Sequence, residues 1–472
     1  MRLQARALYP AIATMYLALC VGGGGEMSDL LLRELGAAQL SGAIVTAGHP
    51  AYEARRRVWN GVIDRHPAAI VRPRATGDVR RAVGAAANAR ALLAVRCGGH
   101  SFPGFSTCNG GLVIDLSEMN AVSVDLRSGT VDIEGGALLG DLDRATVAHG
   151  LVVPAGVVSH TGVGGLTLGG GMGWLSRRYG LTIDSLLGAE IVTADGSLIW
   201  ASEASEPDLF WGIRGGGGNF GIVSRFRFRL HPLGSTVVGK WDYPLSAAHP
   251  ALKRLQAFAS DLPRDLTLSL TLTRTALTVT GVWFGADEAA EKALSSLGDL
   301  ASGGEGRIEA VSFLDLQSRN DEHFSWSRRY YSKGGFWAAI TDEAIAYAVE
   351  AIAKAPTLDS EIYAMKLGGA VSDVDDAATA YSGRKADYYW IVEPVWDDPS
   401  DDSRCLAWCR EAASLLTSRA ISGNYVNEQG DDDPSVAQLA YGPGKYERLA
   451  RLKARFDPGN LFRLNQNIAP AV

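Results

Sequence analysis

The first half of the chain alternates between short apolar runs and longer stretches with helical periodicity. The apolar runs at 91–95 and 111–116 predict buried strands. Residues 77–90 are rich in alanine and follow good capping residues, which predicts a helix just before the first of these strands. Residues 122–134 alternate as a hairpin does, and 138–149 have the pattern of another helix.

Three further patterns complete this half of the chain. Residues 43–75 predict a helix, a turn and then a strand that ends at Pro73. Residues 186–193 are apolar and run into the turn Ala194–Ser197, which indicates a second hairpin. Residues 220–230 alternate apolar side chains with arginines, the pattern of a strand with one buried face.

The pattern changes after Pro232. Strand patterns then alternate with helix patterns, with strands at 266–273, 277–284 and 390–396 and helices at 288–300 and 343–352. This order predicts an antiparallel sheet with helices on one face, which is an α+β arrangement.

These changes divide the chain into four segments. Residues 1–42 form an N-terminal extension, 43–232 a first domain and 233–422 a second domain. Residues 423–472 return to loop-rich, motif-bearing sequence, so we expect this tail to rejoin the first domain.

The composition is that of a globular protein. Hydrophobic residues make up 47% and charged residues 21% of the 472 positions, which argues against a disordered chain. The net charge of −7 and the lack of a basic tract argue against a nucleic-acid partner.

The cysteines are five in number, without zinc spacing: Cys20, Cys97, Cys108, Cys405 and Cys409. Cys405 and Cys409 would share one face of a helix, which favours buried thiols over metal ligands. We therefore predict no metal site. This sparse use of cysteine fits a reducing compartment and a cytoplasmic protein.

The N-terminus has two interpretations. Arg2 and Arg6 precede the apolar stretch 7–21, which has the outline of a signal peptide with a poor cleavage pattern. That stretch contains Pro10 and is shorter than a membrane-spanning helix, so no membrane partner is expected. The alternative is an overextended reading frame whose true start is Met27, and we favour it because a plausible helix follows directly.

The most informative segment is a glycine-rich loop after the 91–95 strand, Arg96-Cys97-Gly98-Gly99-His100-Ser101. Adjacent glycines allow positive φ and a close approach to a ligand. A run of free backbone N–H groups at such a turn makes a concavity suited to a pyrophosphate. The imidazole of His100 would then lie over that ligand. Taken alone, the loop is explained equally well by a histidine in an ordinary glycine turn.

Glycine is also concentrated elsewhere. The 55 glycines cluster in 98–111, 162–173 and 215–221, which indicates ligand-facing loops rather than low complexity. Segment 154–184 is not a dinucleotide-binding fingerprint, because it does not open a long helix after a hydrophobic strand. Its glycines instead indicate backbone packed against something large and flat.

Four motifs in order resemble the berberine bridge enzyme family of vanillyl-alcohol-oxidase-like flavoproteins. They are the His100 loop, segment 154–184, the Asp208–Gly221 motif and the tail at 456–468. The resemblance implies a PCMH-type FAD-binding domain plus a substrate domain whose antiparallel sheet is covered by helices. In this family the histidine at the position of His100 is bonded to the 8α-methyl carbon of FAD.

The resemblance also implies the residues that bind FAD. These are Arg96, Cys97, Gly98, Gly99, His100, Ser101, Val158, His160, Thr161, Gly164, Gly165, Gly170, Gly171, Asn427, Asn465 and Asn467. Family members often add a second bond through a cysteine at the position that Val158 holds here. A single histidyl link at His100 is therefore expected.

The catalytic base stays open between several residues. Hydride abstraction needs a group that takes a proton while flavin N5 accepts the hydride. In many relatives that group is a tyrosine just after a Tyr-x-Asn motif, but here the motif at Tyr425 is followed by Glu428. Glu428 would serve if burial raised its proton affinity, whereas a solvated acid beside Asp431–Asp433 explains it equally well.

Strand 361–365 offers another candidate. Its period of two sends residues 361, 363 and 365 to one face, so Tyr363 is a predicted pocket residue, with ordinary sheet packing as the alternative. Other pocket candidates are Trp326, Tyr330, Tyr331, Phe336, Tyr381 and Arg384, although aromatic clusters more often form core.

The function implied is FAD-linked oxidation of a small secondary-metabolite-like molecule, by hydride transfer to flavin N5 with O2 as acceptor. Residues Val158–Thr161 resemble the bacterial monocovalent branch that includes the enterocin-pathway flavoenzyme. Oxygenation of a polyketide-like substrate through a flavin-N5-oxide is therefore the first alternative. A flavin-binding protein without turnover is the second, because the expected tyrosine is missing.

Overall fold

The computed structural model describes residues 24–418, 420–421, 423–430 and 434–472. The signal-like stretch predicted at 7–21 lies outside them. The strands are β1 (Ala43–Val45), β2 (Ala69–Arg72), β3 (Leu93–Arg96), β4 (Leu112–Asp115), β5 (Val122–Asp125), β6 (Thr130–Glu134), β7 (Leu151–Val152), β8 (Leu186–Val192), β9 (Leu198–Ser202), β10 (Ile222–Arg229), β11 (His231–Pro232), β12 (Thr236–Pro244), β13 (Leu266–Leu272), β14 (Ala276–Phe284), β15 (Glu305–Val311), β16 (Arg329–Tyr330), β17 (Lys333–Trp337), β18 (Glu361–Lys366), β19 (Tyr388–Glu393) and β20 (Val395–Trp396).

The helices lie between these strands and at both ends of the described chain. They are Gly24–Ala37, Tyr52–Arg56, Thr76–Asn88, Leu139–Val147, Val163–Leu168, Ser176–Tyr179, Thr182–Ser185, Pro207–Ile213, Leu245–Phe258, Asp287–Ser295, Phe313–Ser318, Asp342–Ala353, Ala370–Asp373, Asp402–Thr417 and Pro434–Phe456. The last of these contains a kink at Gly442, whose φ of 64° is not helical.

A four-stranded sheet in the order β1-β2-β4-β3 opens the fold, and β3 and β2 each run parallel to β4. Helix Thr76–Asn88 connects β2 to β3, as the sequence predicts. Its apolar face is buried against this sheet, together with Leu31 and Leu35 of helix Gly24–Ala37. Because β3 ends at Arg96, the strand leads directly into the loop that carries His100.

A second, antiparallel sheet has the order β5-β6-β10-β8-β9. Its central strand β10 buries Phe226 and Phe228 and exposes Arg225 and Arg227. The prediction of a strand with one buried face at 220–230 is therefore confirmed.

The largest sheet has seven antiparallel strands in the order β15-β12-β14-β13-β18-β19-β17. One face carries apolar residues such as Leu268 and Leu270 and packs against helices, including Leu245–Phe258 and Asp342–Ala353. The other face carries polar residues such as Ser269 and Thr271 and faces the glycine-rich loops. The predicted α+β class, with helices covering an antiparallel sheet, is confirmed.

Two sequence predictions differ in detail from the structure. The predicted strand at 390–396 is split into β19 and β20 at Pro394, because proline has no N–H to continue a ladder. The predicted helix at 288–300 ends at Ser295 and continues as a 3-10 turn at Ser296–Asp299.

Buried cations connect the parts of the molecule. The Arg177 guanidinium donates to the carbonyl oxygens of Leu266 at 2.8 Å and Leu262 at 3.0 Å. Arg384 forms a two-pronged ion pair with Asp184, with both N···O distances 2.7 Å. In the tail, Lys453 Nζ donates to the carbonyl of Asn219 at 2.8 Å. These contacts hold the glycine-rich loops, the large sheet and the tail in one arrangement.

Candidate active site

A cavity of about 640 Å³ lies between the glycine-rich loops and the polar face of the seven-stranded sheet. The loops at 97–106, 156–166 and 217–223 form one wall. The opposite wall comes from β13, β14, β18 and β19, and the turn Tyr425–Glu428 closes one side. Segments far apart in sequence therefore meet at one site.

Two of the glycine loops touch each other through their backbones. A Cβ atom added to Gly98 would lie 2.3 Å from the nitrogen of Gly162, and one added to Gly162 would lie 2.4 Å from Cys97 Sγ. Neither position has room for a side chain. Gly99 adopts φ of 72°, a conformation that favours glycine, and so directs His100 toward the cavity.

His100 is held between aromatic and imidazole rings. Its ring stacks on Trp59 with centroids 4.7 Å apart, and its Nε2 lies 2.7 Å from His160 Nδ1. Burial, with a smaller contribution from His160, lowers the pKa of His100 well below its usual range. The imidazole is therefore neutral at pH 7, and one of its ring nitrogens carries a free lone pair.

His160 is itself fixed by its neighbour in the chain. The backbone N–H and the hydroxyl of Ser159 both donate to the carboxylate of Asp321, at 2.9 and 2.5 Å. Two more side chains of that segment reach the same loop, since Gln317 donates to the carbonyl of Gly156 and Asn320 to that of Val157. The second half of the chain thus sets the position of the His160 loop.

The loop wall suits a large, flat, anionic group. Gly165 and Gly218 line the cavity, and a Cβ atom on either would meet no protein atom within 4 Å. Among the described residues, the N–H groups of Gly99 and Ser101 have no acceptor. Asn465 also lines the cavity, and its buried Oδ1 has no hydrogen-bond partner. Free donors and acceptors beside a smooth backbone surface fit the pyrophosphate and ring system of FAD.

Most of the predicted cofactor residues line this cavity: Cys97, Gly98, Gly99, His100, Ser101, Val158, Thr161, Gly164, Gly165, Asn427 and Asn465. The others lie behind the wall. Arg96 pairs with Asp115 at the end of the neighbouring strand β4, and so holds the base of the His100 loop. Gly170 and Gly171 pack against Tyr381 and Thr182. His160 and Asn467 are outside the lining, and His160 contacts His100, which does line the cavity.

The turn Tyr425–Glu428 brings three predicted residues to the cavity. The Tyr425 hydroxyl accepts hydrogen bonds from the N–H of Gly171 at 3.1 Å and from Asn427 Nδ2 at 2.9 Å. Asn427 Nδ2 also donates to the carbonyl of Leu166. Glu428 accepts a short hydrogen bond from the Tyr389 hydroxyl, and burial raises the pKa of Glu428 to about 7.

The opposite wall contributes two glutamates as well as the predicted Tyr363. Glu361 and Tyr363 of β18 line the cavity, and so does Glu393 of β19. Sequence reasoning did not select Glu393. The period of two along β19 carries the signal, because it places residues 389, 391 and 393 on the same face as 361 and 363.

The other pocket candidates take no part in the cavity wall. Tyr330, Tyr331, Phe336 and Tyr381 are buried side chains of the core, as aromatic clusters usually are. Trp326 meets His100 edge-on with centroids 6.5 Å apart. The cysteines Cys405 and Cys409 are buried on helix Asp402–Thr417, and the Cys409 thiol donates to the carbonyl of Val392.

The fold and this cavity together define a flavoprotein oxidoreductase. Residues 67–202 match the family model described as FAD binding domain, and residues 424–469 match the one described as berberine and berberine like. An FAD-linked oxidoreductase of Dictyostelium discoideum is 32% identical over 436 residues, which cover 91% of this chain and 95% of that protein. The chain belongs to the berberine bridge enzyme-like family of FAD-linked oxidoreductases.

Solved structures agree with this assignment. The 6-hydroxy-D-nicotine oxidase of Arthrobacter nicotinovorans is similar with a TM-score of 0.84 and 26% identity, over 92% of this chain and 99% of that one. The glucooligosaccharide oxidase of Acremonium strictum, which carries a 6-S-cysteinyl, 8α-N1-histidyl FAD, is similar with a TM-score of 0.86 and 26% identity. That likeness covers 94% of this chain and 100% of the oxidase.

Two other features are absent from the described residues. No helix in the described ranges is both long and apolar enough to cross a membrane. Within the same ranges, no three His, Cys, Asp or Glu side chains gather as metal ligands would.

Proposed function

We propose that the protein is an oxidase whose FAD is bonded to His100 alone and which oxidises a small organic substrate with O2 as electron acceptor. When bound, FAD would supply a two-electron acceptor for a hydride from the substrate, with O2 as the final acceptor. The side chains of the protein bind and orient the substrate, exclude water and take up the proton.

The contact between His100 and His160 is the observation that carries this proposal. Their Nε2 and Nδ1 atoms are 2.7 Å apart, so one must donate and the other accept. With His160 Nδ1 as acceptor, His100 Nε2 carries the proton and His100 Nδ1 keeps a lone pair. That lone pair is the nucleophile that a bond to the 8α carbon requires.

The residues around the proposed FAD site support one covalent bond to FAD and not two. Val158 occupies the family's second attachment position and has no nucleophilic atom. The cysteine that does line the cavity, Cys97, donates its Sγ–H to the carbonyl of Ala137. Burial raises the pKa of Cys97 to about 11, so it stays a thiol and not a reactive thiolate.

Glu428 is the proposed base, and Tyr389 is its hydrogen-bond donor. A pKa of about 7 is well matched to taking a proton near neutral pH. Tyr389 donates its hydroxyl proton to Glu428 Oε2, so it holds the carboxylate in place and stabilises its charged form. Tyr425, whose hydroxyl accepts two hydrogen bonds, is a positioning residue that ties the turn to the glycine loop.

Acid precipitation of the purified protein tests the proposal. The wild-type pellet should be yellow, since a covalent bond survives denaturation. The pellet of His100→Ala should be colourless, and that of His149→Ala, an exposed histidine, should stay yellow. A yellow His100→Ala pellet, or a wild-type protein with no yellow colour, overturns the proposal.

Turnover is tested separately, with a panel of small alcohols and amines. Anaerobic bleaching of the flavin by any of them, followed by stoichiometric hydrogen peroxide when air is admitted, identifies an oxidase. Incorporation of isotopically labelled oxygen into the product would instead identify an oxygenase. If none of the panel bleaches the flavin, the panel is extended with polyketide-like compounds.

A further inference from the structure

We propose that this active site takes substrates with a positively charged nitrogen, an amine in its ammonium form, and that Glu361 and Glu393 recognise the charge. This inference rests on the proposed function, since it names the substrate class of the same cavity. It is carried by the way the two strands place these carboxyl groups and by what surrounds them.

Glu361 and Glu393 stand directly opposite each other on the antiparallel strands β18 and β19. Side chains at such positions have Cβ atoms about 5 Å apart, and like charges there are destabilising. Both side chains are nearly buried, with 9% and 1% of their surface exposed. Glu428 lines the same cavity from the turn at 426–428. Burial, and then neighbouring carboxyl groups, raise the pKa of Glu361 to about 7 and that of Glu393 well above its usual range. Ionising both groups is therefore costly in the empty protein, and a bound ligand of opposite charge would favour their ionised forms.

One oxygen of the Glu393 carboxyl has no hydrogen-bond partner among the described residues. In the described part of the chain, no N–H or O–H group donates to its buried Oε1. A buried carboxyl normally finds donors, because leaving it unpaired costs free energy. Since Glu393 faces the cavity, the missing donor is supplied by what binds there.

The cationic side chains around the cavity do not neutralise this pair. His323 Nε2 lies 3.7 Å from Glu361 Oε2, beyond hydrogen-bond distance, and burial lowers the pKa of His323, so it is neutral at pH 7. Lys240 and Arg319 line other parts of the cavity and lie 3.7 and 3.4 Å from acidic partners of their own. A cationic ligand would provide the charge that the protein does not.

The chemistry of amine oxidation fits this wall. The substrate would give up a hydride from carbon, for which FAD would supply the acceptor, and a proton from nitrogen to Glu428. The electron pair of the broken N–H bond would then form the second bond between carbon and nitrogen. One C–H bond and one N–H bond break, and the electron pair of the C–H bond leaves with the hydride. The product iminium ion has the same single positive charge as the ammonium substrate, so the same carboxylates hold both.

Equilibrium binding of two matched probes to the holoprotein tests the proposal. Benzylamine and benzyl alcohol have nearly the same size, but only the amine is charged at pH 7. Binding is followed by the change in the flavin absorbance under anaerobic conditions. Benzylamine should bind to wild type at least about tenfold more tightly than benzyl alcohol, the effect expected of one buried charged hydrogen bond.

The substitution Glu393→Gln keeps the shape of the side chain and removes its charge. It should bring the two dissociation constants to within about threefold of each other, while Glu305→Gln on the exposed edge strand β15 should leave the preference intact. Glu361→Gln is the second variant, with the same expectation, should Glu393→Gln fail to fold. Equal binding of the two probes to wild type, or an unchanged preference in the folded cavity variants, overturns the inference.

The failure of this inference can be told apart from failure of the proposed function. A protein that precipitates as a yellow pellet but shows no preference for the amine keeps the flavin assignment and loses only the substrate class. A colourless protein loses the proposed function before any probe is added.

Discussion

The two walls of the cavity are built in opposite ways. The loop wall around His100 is mostly backbone, and its glycines either touch another chain segment, as Gly98 touches Gly162, or face open space, as Gly165 does. The sheet wall is made of side chains, among them the buried carboxyl groups of Glu361 and Glu393. The loop wall is therefore a backbone surface with few charged groups, whereas the sheet wall is a set of polar and ionisable side chains.

This difference matches two different tasks, which are binding the cofactor and selecting the substrate. A cofactor of fixed shape is bound well by backbone N–H groups and smooth surface, which leave little to vary. Substrate specificity needs placed polar groups, and those are supplied by side chains on a rigid sheet. Substitutions in the loop wall should therefore affect flavin content, and substitutions in the sheet wall should affect rate and preference.

The first expected effect is on stability and flavin content, and it comes from adding a single methyl group to the loop wall. Gly162→Ala would place a Cβ 2.3 Å from the nitrogen of Gly98, so the two loops must separate and both stability and flavin content should fall. Overpacking of this kind costs about 1–3 kcal/mol. Gly165→Ala meets no protein atom within 4 Å, so the flavin-free protein should keep its stability and bind less FAD.

Both glycine variants are best compared in the His100→Ala background, where unlinked flavin can be removed before thermal denaturation is measured. If the flavin-free Gly162→Ala protein is as stable as its parent, the contact between the loops is not needed for folding. Equal flavin binding by Gly165→Ala and its parent would show that this glycine does not face the cofactor.

The sequence alone predicts the loop wall well because its signals are local. The Gly98-Gly99-His100 turn follows a buried strand within a few residues, and the structure has that strand at Leu93–Arg96. Helix Thr76–Asn88 and strand β10 were predictable for the same reason, since periodicity is read within one segment.

The sheet wall is less predictable because it is assembled from distant segments. Glu361 and Glu393 are 32 positions apart and meet only through the pairing of β18 with β19. Burial raises the pKa of Glu428 to about 7, and the hydrogen bond from Tyr389, which lies on the distant strand β19, holds it from rising further. The local sequence around Glu428 is the same whether this residue is a solvated acid or a buried base. Only the way distant segments pack in the fold distinguishes the two.

The second expected effect is on rate at the sheet wall. Glu428→Gln removes the proposed proton acceptor and should lower kcat by about 10²–10⁴-fold while the acid-precipitated pellet stays yellow. Tyr389→Phe removes a hydrogen bond that holds the pKa of Glu428 down. Since the charged carboxylate is the active form, the rise of kcat with pH should move to higher pH in that variant. An unchanged kcat in Glu428→Gln would assign the base to another residue.

The third expected effect is on stability as a function of pH. Burial raises the pKa of both Glu361 and Glu428 to about 7, whereas glutamates in an unfolded chain have a pKa of about 4.3. The folded state therefore holds these protons more tightly, and the resulting stability is fully present below about pH 4 and lost as the pH rises through about 7. Glu361→Gln removes one such group. As the pH rises from about 4 to about 7, the unfolding free energy of this variant should therefore increase relative to that of wild type, by on the order of 3 kcal/mol.

Denaturant unfolding of both proteins at a series of pH values measures this difference. The control Glu305→Gln removes an exposed carboxyl from the edge strand β15, and its curve should follow that of wild type across the same interval. Saturating benzylamine should reduce the difference between wild type and Glu361→Gln near pH 7, because a bound cation stabilises the ionised carboxyl in the folded state. Parallel pH curves for wild type and Glu361→Gln would mean that the Glu361 carboxyl is solvated, and the contrast between the two walls would then rest on Glu393 alone.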